Sequence, residues 1–167
     1  MKRKALAITL AAAMAMGTCA VTASAADGDK YTIGICQLVQ HEALDAATQG
    51  FKDEVTKELG EDAVTFDEQN AQGDSNTCST IINSFVSNNV DLILANAPPA
   101  LQAAAAGTSD IPILGTSVTE YGVALGLDDF DGTVGGNISG TADLAPLDQQ
   151  AAMLNELFPD AKNVGLL

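Results

Sequence analysis

Apolar residues along the chain switch repeatedly between two spacings, one typical of strands and one typical of helices. Between residues 31 and 38 they form a short continuous run, whereas between residues 42 and 59 they recur every three to four positions and the run ends at Gly60. The same alternation continues to the last residues. The predicted strands span residues 31–38, 64–69, 90–95 and 111–115, with a short extended segment at 137–140 and a strand beginning at 163; the predicted helices span residues 42–59, 98–107 and 147–157, with one more between the turn at 70–74 and residues 88–89.

Strands that are apolar on both faces, each followed by a helix, predict an α/β fold with an open parallel sheet and helices on both faces. Because crossovers between parallel strands are right-handed, few strand orders are possible, and we expect the flavodoxin-like order 2-1-3-4-5. The chain ends on the apolar run Val164–Leu167, without a turn or polar tail. Since domain ends are usually polar and exposed, we expect this chain to be a fragment.

The first 25 residues have the pattern of a secretory signal peptide. Lys2, Arg3 and Lys4 precede an apolar run over residues 5–16, and the small residues of Ala23-Ser24-Ala25 predict cleavage after Ala25. The apolar run is shorter than the roughly 20 residues that cross a bilayer, which argues against a membrane anchor. Cleavage and lipid attachment at Cys19 is the alternative, and either route predicts an exported protein in the periplasm or on the outer face of the cytoplasmic membrane.

Composition restricts the possible functions. The 167 residues are 47% hydrophobic and 17% charged, enough apolar material for a sizeable core. Acidic residues outnumber basic ones 22 to 7, so a basic nucleic-acid-binding surface is excluded. Cleavage of the leader would leave two cysteines, Cys36 and Cys78. In an exported protein they could pair, but we expect two unpaired, partly buried thiols.

The residues that follow the predicted strands are the candidate ligand-binding residues, because ligands of open parallel sheets bind beyond the carboxyl ends of the strands. They are polar and uncharged, and the N-termini of the first and third helices point partial positive charge at the same edge, which suits a carboxylate. No Lys or Arg lies among them, which disfavours a phosphate ligand. They include Gln37, Gln40, Asn70, Gln72, Asn96, Thr116 and Ser117, with His41 close by.

No specific catalytic or metal-binding motif occurs in the sequence. His41, the only histidine, lies beside Glu42, but a histidine in the first turn of a helix is more often a capping or ligand-wall residue than an acid/base catalyst. A nucleophile elbow, a phosphate-binding loop, a dinucleotide fingerprint and a zinc-spaced Cys/His cluster are all absent from the sequence. The acidic run over residues 128–132 lacks the spacing of a calcium loop. We therefore expect no enzymatic activity, no metal and no cofactor.

Several stretches, taken together and in order, resemble the substrate-binding proteins of ABC importers, in the subfamily associated with aromatic and other amino acids. The resemblance implies a type 1 periplasmic-binding-protein-like fold with two lobes joined by hinge strands. Residues 26–140 would form the first lobe, and residues 141–167 the hinge crossing and the start of the second. The stretches are Ile33–His41 with Ala43–Asp45, Asn70–Asp74, Val90–Ala95, Ile111–Ile113 and Gly135–Gly140.

The resemblance also implies a function, namely capture of a small solute, such as an amino acid, between the lobes and its delivery to the membrane permease. Thr116 and Ser117 would bind a carboxylate and Asp143, near the hinge, an ammonium group. A monomer is expected. The ligand-binding domain of an extracellular receptor and an exported α/β enzyme are the alternatives. The implied ligand-binding residues are Gln37, Leu38, His41, Asn96, Ala97, Thr116, Ser117 and Asp143.

Overall fold

Strands and helices alternate along the chain in the computed structural model, which describes residues 30–165. The strands are β1 (Tyr31–Gln37), β2 (Val64–Asn70), β3 (Leu92–Asn96), β4 (Ile113–Val118) and β5 (Ile138–Ala142). The helices are α1 (Glu42–Leu59), α2 (Ser75–Ser87), α3 (Pro98–Gly107), α4 (Tyr121–Leu125) and α5 (Leu147–Leu157), with a 3-10 turn at Glu61–Ala63.

The five strands form one parallel sheet in the order β2-β1-β3-β4-β5. This confirms the predicted α/β class and strand order. All carboxyl ends therefore lie at one edge of the sheet, and the loops that leave β1, β3 and β4 emerge there next to one another.

Helices cover the two faces of the sheet unequally. On one face, α1 packs over a small apolar cluster that includes Ile35, Leu94 and Phe51. On the other face, α2, α3 and α4 cover a larger cluster in which Phe85 is fully buried. Phe85 lies directly over Gly34, where a Cβ atom would stand 2.6 Å from its ring, so α2 approaches the sheet closely because that strand position has no side chain.

Several strand boundaries differ from the sequence prediction, those of β4 most, and one helix was not predicted. Strand β4 runs from Ile113 to Val118. It begins two residues later and ends three residues later than predicted, and Pro112 lies just before its start. Helix α4 was not predicted at all, because five residues are too few to show helical periodicity. It is fixed instead by its ends: both carboxylate oxygens of Glu120 accept amides of the first turn, and Gly126 ends it in the left-handed conformation.

The last described segment is exposed. Every residue of α5 is solvent-exposed. Residues 163–165 form no strand, so the prediction of a strand beginning at residue 163 is wrong for these three positions.

The predicted leader, including Cys19, lies outside the described residues. Within residues 30–165, no helix has both the length and the apolar character needed to cross a bilayer.

Candidate functional site at the carboxyl edge of the sheet

Main-chain hydrogen bonds extend the sheet beyond the ends of its strands and tie the candidate loops together. Each bond joins residues of neighbouring strands or of the loops that follow them. The first residues after β1, β3 and β5 are therefore joined to the ends of β3 and β4 in one continuous edge. The bonds run from the Leu38 amide to the Asn96 carbonyl (3.2 Å), from Ala97 to Thr116 (3.0 Å) and from Asp143 to Val118 (3.3 Å).

Three of the predicted site residues form a row across the sheet. Gln37 pairs in register with Asn96, and Asn96 pairs in register with Thr116. Because register partners in a parallel sheet point to the same face, all three side chains lie on the face covered by α1. The structure thus brings these three residues together as neighbours.

Two members of that row are held in a buried polar network with α1. The Asn96 amide nitrogen donates to the Leu44 carbonyl and to the Thr48 hydroxyl, both at 2.9 Å. Thr48 in turn donates to Oε1 of Gln37 at 2.7 Å, and the Gln37 amide donates to Asp45 at 2.6 Å. The network fastens the first two turns of α1 to the ends of β1 and β3.

The network changes what Gln37 and Asn96 can offer a ligand. Gln37 is 4% exposed and Asn96 is fully buried, so in this structure their amide groups face the interior rather than the open edge. The Asn96 Oδ1 atom is nevertheless buried without a hydrogen-bond partner in the described part of the chain. An unpaired buried acceptor costs about 1–3 kcal/mol, so the surrounding contacts must hold it in place.

Strained backbone marks the residue after β3 and a residue near the end of β4. Ala97 has φ 91° and ψ 156°, and Ser117 has φ 55°, although neither is glycine. Such conformations cost about 1–3 kcal/mol each, persist only where neighbouring structure enforces them, and cluster at ligand-binding sites. Here the two strained residues lie at the ends of adjacent strands, because the amide of Ala97 is bonded to the carbonyl that precedes Ser117.

The helix N-termini at this edge offer fewer free amides than the sequence suggested. His41 caps α1, and its Nδ1 atom accepts the Ala43 amide at 3.2 Å. Pro98 and Pro99 occupy the first turn of α3 and have no amide hydrogen. The next amide of α3 belongs to Ala100, which is fully buried. These two helix N-termini therefore leave loop amides and side-chain hydroxyl groups as the main hydrogen-bonding groups at the edge.

Asp143 is exposed at the end of β5, close to the side chain of Tyr121. The Tyr121 hydroxyl donates to the Thr141 carbonyl at 3.1 Å. Burial raises the pKa of Tyr121, and the negative charge of Asp143 raises it further. Tyr121 thus remains a neutral hydrogen-bond donor that holds β5 against the start of α4, while the Asp143 carboxylate is free to meet a cation.

Two cavities flank β4 and β5. One, of about 380 Å³, lies between α4, residues 130–135 and β5. The other, of about 350 Å³, lies between α1 and the uncovered faces of β4 and β5, and Thr116 lines it together with Phe51 and Leu114. Of the predicted site residues, Thr116 therefore borders a cavity, whereas Gln37, Asn96 and Ala97 line neither of these two. Within residues 30–165, no three His, Cys, Asp or Glu side chains are grouped as metal ligands.

Sequence reasoning missed the contribution of Thr48 and Asp45. Thr48 is the one buried residue of α1 and sits in the helical stripe between Leu44 and Phe51. A hydroxyl group within the apolar stripe of a helix indicates a buried hydrogen-bond partner, and the position of Thr48 in that stripe can be seen from the sequence. Which residues it would meet could not be read from spacing, because its partners lie on two different strands.

A family model and a named relative each match most of this chain. Residues 32–167 match the model of a family described as ABC transporter substrate binding protein. A tyrosine-binding protein from Clostridioides difficile is 42% identical over 139 residues, which cover 81% of this chain and 39% of that relative.

Solved structures resemble the chain in the same way. A ligand-free, open substrate-binding protein with adhesive properties from Clostridium difficile has 42% identity and a TM-score of 0.70. The ABC domain from Streptococcus pneumoniae in complex with L-Trp has 32% identity and a TM-score of 0.71. In both cases the match covers 79% of this chain and 45% of the other, so the chain spans less than half the length of these relatives.

Proposed function

Because the chain belongs to the family of ABC transporter substrate-binding proteins, we propose that it supplies one lobe of an extracytoplasmic protein that captures an amino acid. The observation that carries the proposal is the continuous hydrogen-bonded edge formed by the first residues after β1, β3 and β5 and the ends of β3 and β4. It presents two strained residues, Ala97 after β3 and Ser117 near the end of β4, on neighbouring strands.

The proposed contacts follow from the chemistry of that edge. Thr116 and Ser117 are half-buried, so their hydroxyls can reach a carboxylate without being taken into the core. Asp143 is exposed one strand away and would pair with an ammonium group. Leu38 contributes apolar surface beside them and Ala97 contributes main chain, while His41 borders the edge as the N-cap of α1. A zwitterion with an uncharged side chain fits this arrangement better than a phosphate, since no Lys or Arg lies along the edge.

Gln37 and Asn96 take a different part in this proposal. Their side chains are buried in the network with α1, so they shape the edge and contribute main-chain groups to it. The tyrosine-binding relative and the structure with L-Trp support an amino acid as the solute. Substrate-binding proteins of this family are not enzymes, and delivery to an ABC permease would be the physiological role.

The proposed organisation follows the same reasoning. Residues 1–25 would be removed on export, residues 26–140 would form the ligand-binding lobe, and residues 141–167 would begin the crossing to a second lobe. In that arrangement the solute lies between two lobes that close by hinge bending. A single lobe covers one side of the solute only, so the 167-residue chain should bind weakly by itself.

Amide chemical-shift mapping of the isotope-labelled chain against a panel of L-amino acids tests the proposal, because it detects millimolar affinity. We expect shifts confined to residues 37–41, 96–101, 116–120 and 142–144. Thr116→Ala and Asp143→Ala should each weaken binding about tenfold, the loss expected for one hydrogen bond to a charged group. Thr65→Ala and Asp110→Ala, exposed positions at the opposite edge, are the matched controls. Shifts scattered over the surface, or equal effects in the controls, would contradict the site.

A further inference from the structure

The larger core cluster contains two cysteines that the proposed function does not use. Cys36 lies near the end of β1, and Cys78 lies in the first turn of α2. Both are fully buried, both are free thiols in the structure, and both belong to the same cluster between α2 and the sheet.

Packing between α2 and β1 places one thiol above the other. The contact of Phe85 with Gly34 fixes where the helix crosses the strand. From that contact, Cys36 lies two residues, or about 7 Å, towards the carboxyl edge along β1. Cys78 lies two helical turns, or about 10 Å, in the same direction along α2, because a helix that connects parallel strands runs antiparallel to them.

Small neighbours allow the start of α2 to approach the sheet at this point. Ala95 is the register partner of Cys36 on β3, and Ala71 leads into α2; both are buried in the same cluster. The two thiols are close enough to affect each other's ionisation. Burial is the main cause that raises the pKa of each thiol, and the neighbouring cysteine is a further cause that raises the pKa of Cys36.

We propose that Cys36 and Cys78 are a disulfide site, joined when the chain folds in the presence of a disulfide oxidant. In this step the two thiols together lose two protons and two electrons and form one S–S bond. The oxidant, a small-molecule or protein disulfide, is reduced to two thiols. The bond would close the loop that contains α1 and β2, and would fasten the start of α2 to the end of β1.

The burial of both thiols determines when the bond can form. Exchange needs a thiolate and access to an attacking sulfur, and the folded chain provides neither at neutral pH. A pair that is reduced when the core closes therefore stays reduced, and a pair that is oxidised by then stays oxidised. The redox state of Cys36 and Cys78 in the folded protein therefore depends on whether an oxidant was present during folding. This inference is independent of the proposed ligand.

Refolding the chain under two redox conditions tests the proposal. A Cys19→Ser background removes the third cysteine, and the chain is refolded from denaturant either with a reduced/oxidised glutathione mixture or with excess reductant. Alkylation after unfolding, followed by mass spectrometry of the intact chain and of its peptides, counts free thiols and locates any bond. In the glutathione mixture we expect a monomer without free thiols, with a peptide link between Cys36 and Cys78 and a melting temperature higher by roughly 10 °C.

Two control variants and one kinetic measurement complete the test. Cys36→Ala and Cys78→Ala should each show the same melting temperature in both conditions, because the remaining thiol has no partner. The reduced, folded chain should keep both thiols for hours in oxidised glutathione at pH 7. A natively folded chain that retains both thiols after oxidative refolding, or that forms only intermolecular bonds, would overturn the proposed site. Rapid oxidation of the folded chain would overturn the claim that folding sets the redox state.

Discussion

The Asn96 side chain donates a 2.9 Å hydrogen bond to the Thr48 hydroxyl and thereby joins the end of β3 to the second turn of α1. The Thr48 hydroxyl in turn donates a hydrogen bond to Gln37 at the end of β1, so one hydroxyl links three elements at the proposed ligand edge. Side-chain amides that the sequence suggested as ligand contacts thus hold the scaffold on which the ligand loops rest.

Replacing Thr48 by valine should destabilise the chain. Valine keeps the shape of threonine but removes the hydroxyl, which leaves Oε1 of Gln37 without its close donor and the Asn96 amide with one acceptor fewer. The expected loss is about 1–3 kcal/mol of unfolding free energy, measured by urea denaturation. Thr48→Ser, which retains the hydroxyl, should recover most of it. Equal stabilities of the Val and Ser variants would show that the hydroxyl contributes nothing.

Glycine at position 97 should relieve backbone strain. Ala97 adopts φ 91°, a conformation that glycine reaches without steric cost. The strain of about 1–3 kcal/mol exceeds the extra entropy of an unfolded glycine, about 0.5–1 kcal/mol, so Ala97→Gly should raise stability by roughly 1 kcal/mol. Ala106→Gly, at an exposed position inside α3, is the control and should lower stability by about 1 kcal/mol. The idea fails if both variants lose stability in thermal or urea unfolding.

Alkaline solution should destabilise the reduced protein through Cys36. Burial raises the pKa of the Cys36 thiol well above its ordinary value near 9, so the folded state keeps it protonated while the unfolded chain ionises. The contribution of the protonated Cys36 thiol to folding stability is therefore complete below pH 9. It is lost as pH rises, by about 1 kcal/mol of unfolding free energy between pH 9 and pH 10. Urea denaturation with reductant at several pH values measures the slope. Cys36→Ala should lose less stability over the same interval, and an unchanged slope would contradict this origin.

The sequence predicted the sheet well because its signal is local. Each strand is a short apolar run, each long helix shows its own periodicity, and the right-handed crossover rule then leaves few strand orders. Helix α4 was not predicted because the carboxylate of Glu120 and the buried ring of Tyr121 hold it in place, and neither residue produces a periodic pattern of apolar positions.

The candidate edge could be predicted only in part. Gln37, Asn96 and Thr116 could be placed in one row because strand ends align in a parallel sheet. The burial of the Gln37 and Asn96 amides in a polar network could not be predicted, because their partner Thr48 becomes a neighbour of both only after α1 packs. The positive φ values of Ala97 and Ser117 likewise could not be predicted, because neither residue type indicates such a conformation.

The contact between Gly115 and Tyr121 supports a double-mutant test of how β4, β5 and α4 are joined. A Cβ atom at Gly115 would stand 2.5 Å from the Tyr121 hydroxyl oxygen, so Gly115→Ala should displace that hydroxyl from the Thr141 carbonyl and cost about 1–3 kcal/mol. In a Tyr121→Phe background the same change should cost clearly less, because the closest colliding atom is gone. Gly50→Ala, where a Cβ atom meets open space on α1, is the control and should raise stability by about 0.5–1 kcal/mol. If urea denaturation gives purely additive effects for positions 115 and 121, their proposed coupling is wrong.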